Sequence, residues 1–137
     1  MKLSPHLSFN GRCQEALDFY QRCLGAEIQF MLTYGNSPVA DRVPPEWRGK
    51  ILHANLAIGE SIINADDAQP GRYQSPRGFQ LTLDVEDAAE AERIFRELSE
   101  GGTVQMPLQT TFWAMRFGVL VDRFGITWEV NCPLAPE

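Results

Sequence analysis

The amino-acid sequence predicts an α+β fold: two βαβββ modules whose mixed sheets form a cupped or barrel-like pair. Three observations predict it. The 137-residue chain runs through the order strand, helix, strand, strand, strand twice, over about 1–66 and again over about 78–132. Its strand segments alternate polar and apolar residues with period two. Its two helical segments each carry a single apolar stripe. The whole, 1–137, reads as one domain built of two repeats.

His6 to Asn10 and Gln80 to Asp84 alternate as half-buried strands do, and they open the two repeats. A helix follows each. The first covers about Arg12 to Leu24, with Cys13, Ala16, Leu17, Tyr20, Cys23 and Leu24 at helical spacing. The second covers about Ala88 to Ser99, with Ala91, Ile94, Phe95 and Leu98 inward and Asp87 with Glu90 as a capping pair. Gly25 and Gly101-Gly102 stop them at equivalent places. The third elements are strands, Glu27 to Tyr34 and Thr103 to about Thr111. Each repeat then closes on a hairpin. One is Ile51 to Ile58 with Ser61 to Ala65 about Gly59-Glu60; the other is Ala114 to Val121 with Ile126 to Asn131 about Asp122–Gly125. Gly35–Lys50 and Asp66–Gly78 are rich in Pro, Gly and polar residues and read as loops; the first is long enough for a lid or an interface.

Composition narrows the function classes. Twelve basic against eighteen acidic residues leave a net charge of −6, with no basic stripe to hold a phosphate backbone, so nucleic acid is excluded as the expected partner. No apolar run approaches the roughly 20 residues of a membrane span, so no membrane partner is expected. Cys13, Cys23 and Cys132 lack metal spacing and read as thiols of a reducing compartment, which places the protein in the cytoplasm. Glycine-rich phosphate loops and the Gly-x-Ser-x-Gly elbow are absent.

Strand parity sorts the side chains. Leu7 and Phe9 belong to the helix side, so His6, Ser8 and Asn10 face away from it into the cup. By the same rule Phe79, Leu81 and Leu83 pack under a helix, and Gln80, Thr82 and Asp84 face the cup. Ile126, Trp128 and Val130 pack, leaving Thr127, Glu129 and Asn131 inside. Ile63 packs, and Asn64 takes the place in its repeat that Glu129 takes in the other.

The pattern and several literal stretches resemble the vicinal-oxygen-chelate superfamily of glyoxalase I, bleomycin-resistance proteins and extradiol dioxygenases, and within it the PhnB-like branch. The stretches are Pro5-His-Leu-Ser-Phe-Asn-Gly11, Glu15-Ala16 with Phe19-Tyr20, His53-Ala-Asn55, Thr111-Phe-Trp-Ala114, Asp122-Arg-Phe-Gly125 and Trp128-Glu-Val-Asn131. The resemblance implies the glyoxalase-like fold, a homodimer, and a cup-shaped site that in many relatives holds one divalent metal. His6, Gln80 and Glu129 fall at the superfamily's ligand positions, with Asn64 at the fourth. One imidazole, one carboxylate and amide oxygens suit Zn, Ni, Mn or Fe; the same residues also suit a metal-free cup in which they bond to one another and to water.

The remaining candidates are the expected substrate contacts. His53 is either a pocket acid or base or, the reading favoured here, a histidine tied to backbone. Phe112 and Trp113 are either an aromatic edge closing over a ligand or, for Trp113, core or dimer packing. Arg116 lies on the Ala114–Gly118 face, the cup side if the hairpin mirrors the first repeat, where it is suited to bind an anion; the alternative is a surface acid partner. Arg72, Tyr73 and Arg77 fall in a loop and read as solvated. Two functions follow. One is a metal-dependent lyase, isomerase, transferase or dioxygenase acting on a small oxygenated substrate, with Glu129 as its catalytic base. The other is a metal-free protein that sequesters a small aromatic or anionic compound in the bleomycin-resistance manner.

Overall fold

Alternating strands need a second layer to cover their apolar sides, and each repeat supplies one helix for that purpose. The structure, a computed structural model, describes residues 1–134. Its elements run β1 His6–Phe9, α1 Cys13–Leu24, β2 Glu27–Thr33, β3 Ile51–Ile58, β4 Ser61–Asp67, β5 Leu81–Asp84, α2 Ala88–Ser99, β6 Thr103–Gln109, β7 Ala114–Val121 and β8 Thr127–Pro133. They divide into two compact units, Met1–Gln74 and a second that begins at Ser75. One sheet has the order β1-β4-β3-β2 and the other β5-β8-β7-β6. In both, the first strand pairs parallel with the last and the other pairs are antiparallel.

In the first unit α1 buries Cys13, Ala16, Leu17, Phe19, Tyr20 and Cys23. Beneath it lie Leu7 and Phe9 of β1, Ala54 and Leu56 of β3, and Ile63 and Ala65 of β4, all buried. The helix ends at Gly25, whose φ of 65° is a left-handed cap; its N–H bonds the carbonyl of Gln21. Leu24, expected inward, is only partly covered, because its position trails the stripe.

The second unit repeats the scheme with different filling. The Asp87 carboxylate accepts the Glu90 N–H and starts α2, as the capping pair predicts. Ala91, Ile94, Phe95 and Leu98 are buried, with Leu120, Trp128 and Val130 of the sheet equally so. Gly118 lets the layers approach: a Cβ there would lie 2.7 Å from the Phe95 ring.

Several boundaries move. β4 continues through Asp66 and Asp67 because both pair with β1, Ser8 with Asp66 and Phe9 with Asp67. β8 runs on to Pro133 beside Ala114. Phe79, expected to pack under a helix, lies before β5 and is half exposed. The 35–50 segment contains two short 3₁₀ turns, Ala40–Arg42 and Pro45–Trp47, and is fastened at its ends. The Gly35 N–H bonds the Arg48 carbonyl, and the Lys50 Nζ donates to the Gly11 carbonyl at 2.9 Å.

Candidate functional site

One face of each sheet is sealed by its helix, so function falls to the open face. On the first sheet the register sets His6 opposite Asn64, Asn64 opposite Asn55 and Asn55 opposite Phe30. The next rung sets Ser8 opposite Asp66. The side chains complete these rungs. Asn55 donates Nδ2 to Asn64 Oδ1, Ser8 donates its hydroxyl to Asp66 Oδ1 at 2.7 Å, and the same oxygen lies 3.4 Å from His6 Nε2. The His53 ring lies 6.4 Å from that of His6 and 6.0 Å from that of Phe30.

The chain's two histidines therefore share one surface. His53 makes no hydrogen bond to backbone within the described residues; it stacks instead, which corrects the favoured sequence reading. Composition reads Asp66 as loop, yet it lies in β4 with its carboxylate 3.4 Å from the His6 imidazole. The period-two step from Asn64 is the signal that would have found it.

What orients this face sits one residue on. Asp67 is 1% exposed. Its carboxylate accepts the N–H groups of Cys13 and Ile51, each at 2.9 Å, and the Tyr34 hydroxyl donates to its carbonyl at 2.6 Å. Burial pushes the Asp67 carboxyl above its ordinary value; the Ile51, Cys13 and Gly11 amides and the Lys50 ammonium oppose that rise. Burial, and then the charges of Asp67 and Asp66, push the Cys13 thiol far up, so it stays protonated and unreactive.

The second sheet's open face is built from carboxylates and rings. Thr82 stands opposite Glu129 and donates to its Oε2 at 3.0 Å; Asn131 donates to Asp84 Oδ1 at 2.9 Å. Glu129 faces Val119 on the other side, and Asn131 faces Phe117. Trp113 is half exposed, its ring 5.4 Å from Phe117 and 4.7 Å from Phe112, which is 91% exposed. Thr111 sets this pair: its hydroxyl accepts the N–H groups of Trp113 and Ala114. Gln80 is exposed just ahead of β5.

Arg116 is a correction. It does share a face with Ala114 and Gly118, but this is the helix side: Arg116 stands opposite buried Cys132, and its Nε donates to Glu92 of α2 at 3.0 Å. The acid partner, not the open face, holds it. As to a metal, the first sheet offers His6 with Asn64, whose oxygen already accepts from Asn55, and the second offers Glu129 with Gln80. Neither pair alone makes the three or four donors a transition metal takes. Among the described residues no group of three or more His, Cys, Asp or Glu side chains is disposed to hold an ion.

Residues 4–130 match the model of the glyoxalase/bleomycin resistance protein/dioxygenase superfamily. The chain is 40% identical to protein YjdN of Escherichia coli, over 96% of this chain and 95% of that one. Among solved structures, protein PA1353 of Pseudomonas aeruginosa is 45% identical with a TM-score of 0.88, covering 97% of this chain and 98% of its own. A structure from Bacillus cereus described as a putative 3-demethylubiquinone-9 3-methyltransferase, PhnB protein, shares the fold at a TM-score of 0.82 and 24% identity, over 96% and 99% of the two chains. The chain belongs to the glyoxalase/bleomycin resistance protein/dioxygenase superfamily.

Proposed function

We propose that this protein binds a small oxygenated molecule on the open faces of its sheets, and that the His6–Asp66–Ser8 group handles that molecule's polar atoms. The observation that carries this reading is the polar ladder of six side chains, His6, Ser8, His53, Asn55, Asn64 and Asp66, on a sheet whose other side is a closed apolar core. Polar groups at such density on one partly exposed sheet face offer a ligand several donors and acceptors at once. An imidazole carries one donor and one acceptor nitrogen when neutral, so His6 can donate to or accept from a bound oxygen.

The metal-dependent reading is favoured by one feature: with Nε2 turned to Asp66, His6 keeps Nδ1 for a ligand. The donors that reading uses are His6, Asn64, Gln80 and Glu129, and the ions they suit are Zn, Ni, Mn and Fe. Elemental analysis of protein purified without a nickel column separates the two. For the metal reading, wild type carries near one equivalent of ion and both Glu129→Gln and His6→Gln lose it. For metal-free binding, all three carry background levels, and a ligand found by tryptophan fluorescence survives chelator treatment. A ligand panel that binds neither before nor after chelation would overturn both.

The reading includes a homodimer, supported by the exposed apolar side chains Val104 and Met106 of β6, and a cytoplasmic location, supported by three unbridged buried cysteines. Light scattering behind a sizing column tests the first: a monomer at micromolar concentration would remove it.

A further inference from the structure

The second unit holds a cavity of about 570 Å³ between the segment ahead of β5 and the ends of β6, β7 and β8. The volume is within the range of small-molecule sites. Its lining includes Phe79, Gln80, Gln105, Thr127 and one charged residue, Arg77.

The charge is the unusual feature. The chain as a whole is acidic at −6, yet no carboxylate lines this space. Three other arginines of the unit are matched by acids, Arg93 by Glu90 and Glu97, Arg116 by Glu92 and Arg123 by Glu100. Arg96 on α2 is, like Arg77, without one among the described residues, but it does not line this cavity. Arg77 has no such partner among the described residues. The first unit's cavity, about 450 Å³ at the start of α1, differs in this respect. There Arg12 pairs with Glu15, Lys50 donates to the Gly11 carbonyl, and Asp18 and Asp67 add negative charge.

Half-exposed Phe79 supplies the second requirement. An exposed phenylalanine and an unpaired arginine lining one cavity favour a flat apolar body that ends in an anion. Arg binds a carboxylate with two parallel bonds, the amides and the hydroxyl complete its lone pairs, and the ring stacks. We infer that this cavity is a binding site for a small aromatic carboxylate. The inference stands on Arg77 and Phe79 and goes beyond the function proposed above; it needs neither His6 nor a metal.

Benzoate is the probe, titrated into chelator-treated protein and followed through the side-chain amide signals of Gln80 and Gln105 and the Arg77 Nε–H in a two-dimensional NMR spectrum. Saturable shifts confined to these signals are expected. Arg77→Gln should weaken binding about tenfold or more, the scale of a lost charge-assisted pair. Phe79→Leu should weaken it about threefold. Benzamide, equal in shape and neutral, should bind at least about tenfold more weakly than benzoate. No shift at these signals, equal binding by Arg77→Gln, or equal binding of benzamide would each overturn the site. Phosphate binding as tightly as benzoate would overturn the aromatic class. Because both residues are exposed, unchanged spectra elsewhere verify that the variants fold. Failure here leaves His6 and Glu129 untouched, and their metal test reads separately.

Discussion

The two units are built to one scheme and differ in what their buried aspartates hold. Asp67 accepts N–H groups from Cys13 and Ile51, 54 and 16 residues away, and so joins the start of α1, the end of the 35–50 segment and the end of β4. Asp122 is as deeply buried, but the hydrogen bonds described for it are local: it accepts the N–H groups of Phe124 and Ile126 and the Nε1–H of Trp128, each within six residues. A local knot holds a hairpin. A distant one assembles a face, because Asp66, which lies against His6 and accepts from Ser8, is the residue beside Asp67. The difference also explains why the second repeat is readable piece by piece whereas the first needs a long segment tied down.

The sharpest way to break this comparison is to remove both knots. Asp67→Ala leaves two distant amides without their acceptor and should cost about 3–5 kcal/mol, the scale of a broken buried charged network. Hydrogen exchange should rise at Cys13, Ile51 and the 35–50 segment together. Asp122→Ala should cost about 2–4 kcal/mol, with faster exchange limited to 122–128. Equal spread in the two variants, read by urea melts and exchange mass spectrometry, would erase the distinction.

Next in size is the helix–sheet spacing. By register, Gly118 opposite Val130 is the counterpart of Ala54 opposite Ala65. Gly118→Ala drives a methyl group into both the Phe95 ring and the Leu108 backbone and should cost about 1–3 kcal/mol. Adding Phe95→Leu should recover part of that loss, a coupling the single variants cannot produce. Additive losses would mean that the methyl group meets the Leu108 backbone rather than the Phe95 ring.

A smaller effect concerns pH. The carboxyl of Asp67 is raised in the fold above its unfolded value of 3.8, so the folded state holds this proton more tightly. Its contribution to stability is therefore present in full below 3.8 and is lost as pH rises through the folded value. Relative to Asp67→Asn, which does not titrate, wild type should gain melting temperature as pH falls toward 3.8. Asp122→Asn measured alongside controls for the other carboxylates. A constant difference between wild type and Asp67→Asn across that window would contradict the shift.

The smallest effect belongs to Thr82→Ala. The bond to Glu129 is exposed, so stability should change by less than about 0.5 kcal/mol. A loss above about 1 kcal/mol would mean that the second open face is tied as firmly as the first.

The sequence by itself determined the order of elements, the spans of β3, α2 and β7, the Asp87 cap, and the buried sets of β1, α2 and β8. These follow from local rules: a period of two or 3.6, and a carboxylate three residues ahead of the N–H it receives. Tertiary structure alone decided four things. It set Arg116 on the helix side; Ala114, Arg116 and Gly118 include no large apolar group to mark which face is buried, and the sign comes from the Phe95 ring against Gly118 and from buried Leu120 further along the same face. It left Phe79 off its sheet, because alternation does not say where pairing begins. It brought His53 beside His6, since strand order and not spacing chooses the neighbours on a face. It also made Asp67 a hub, because a hydrogen bond across 54 residues leaves no periodic trace in the chain that forms it.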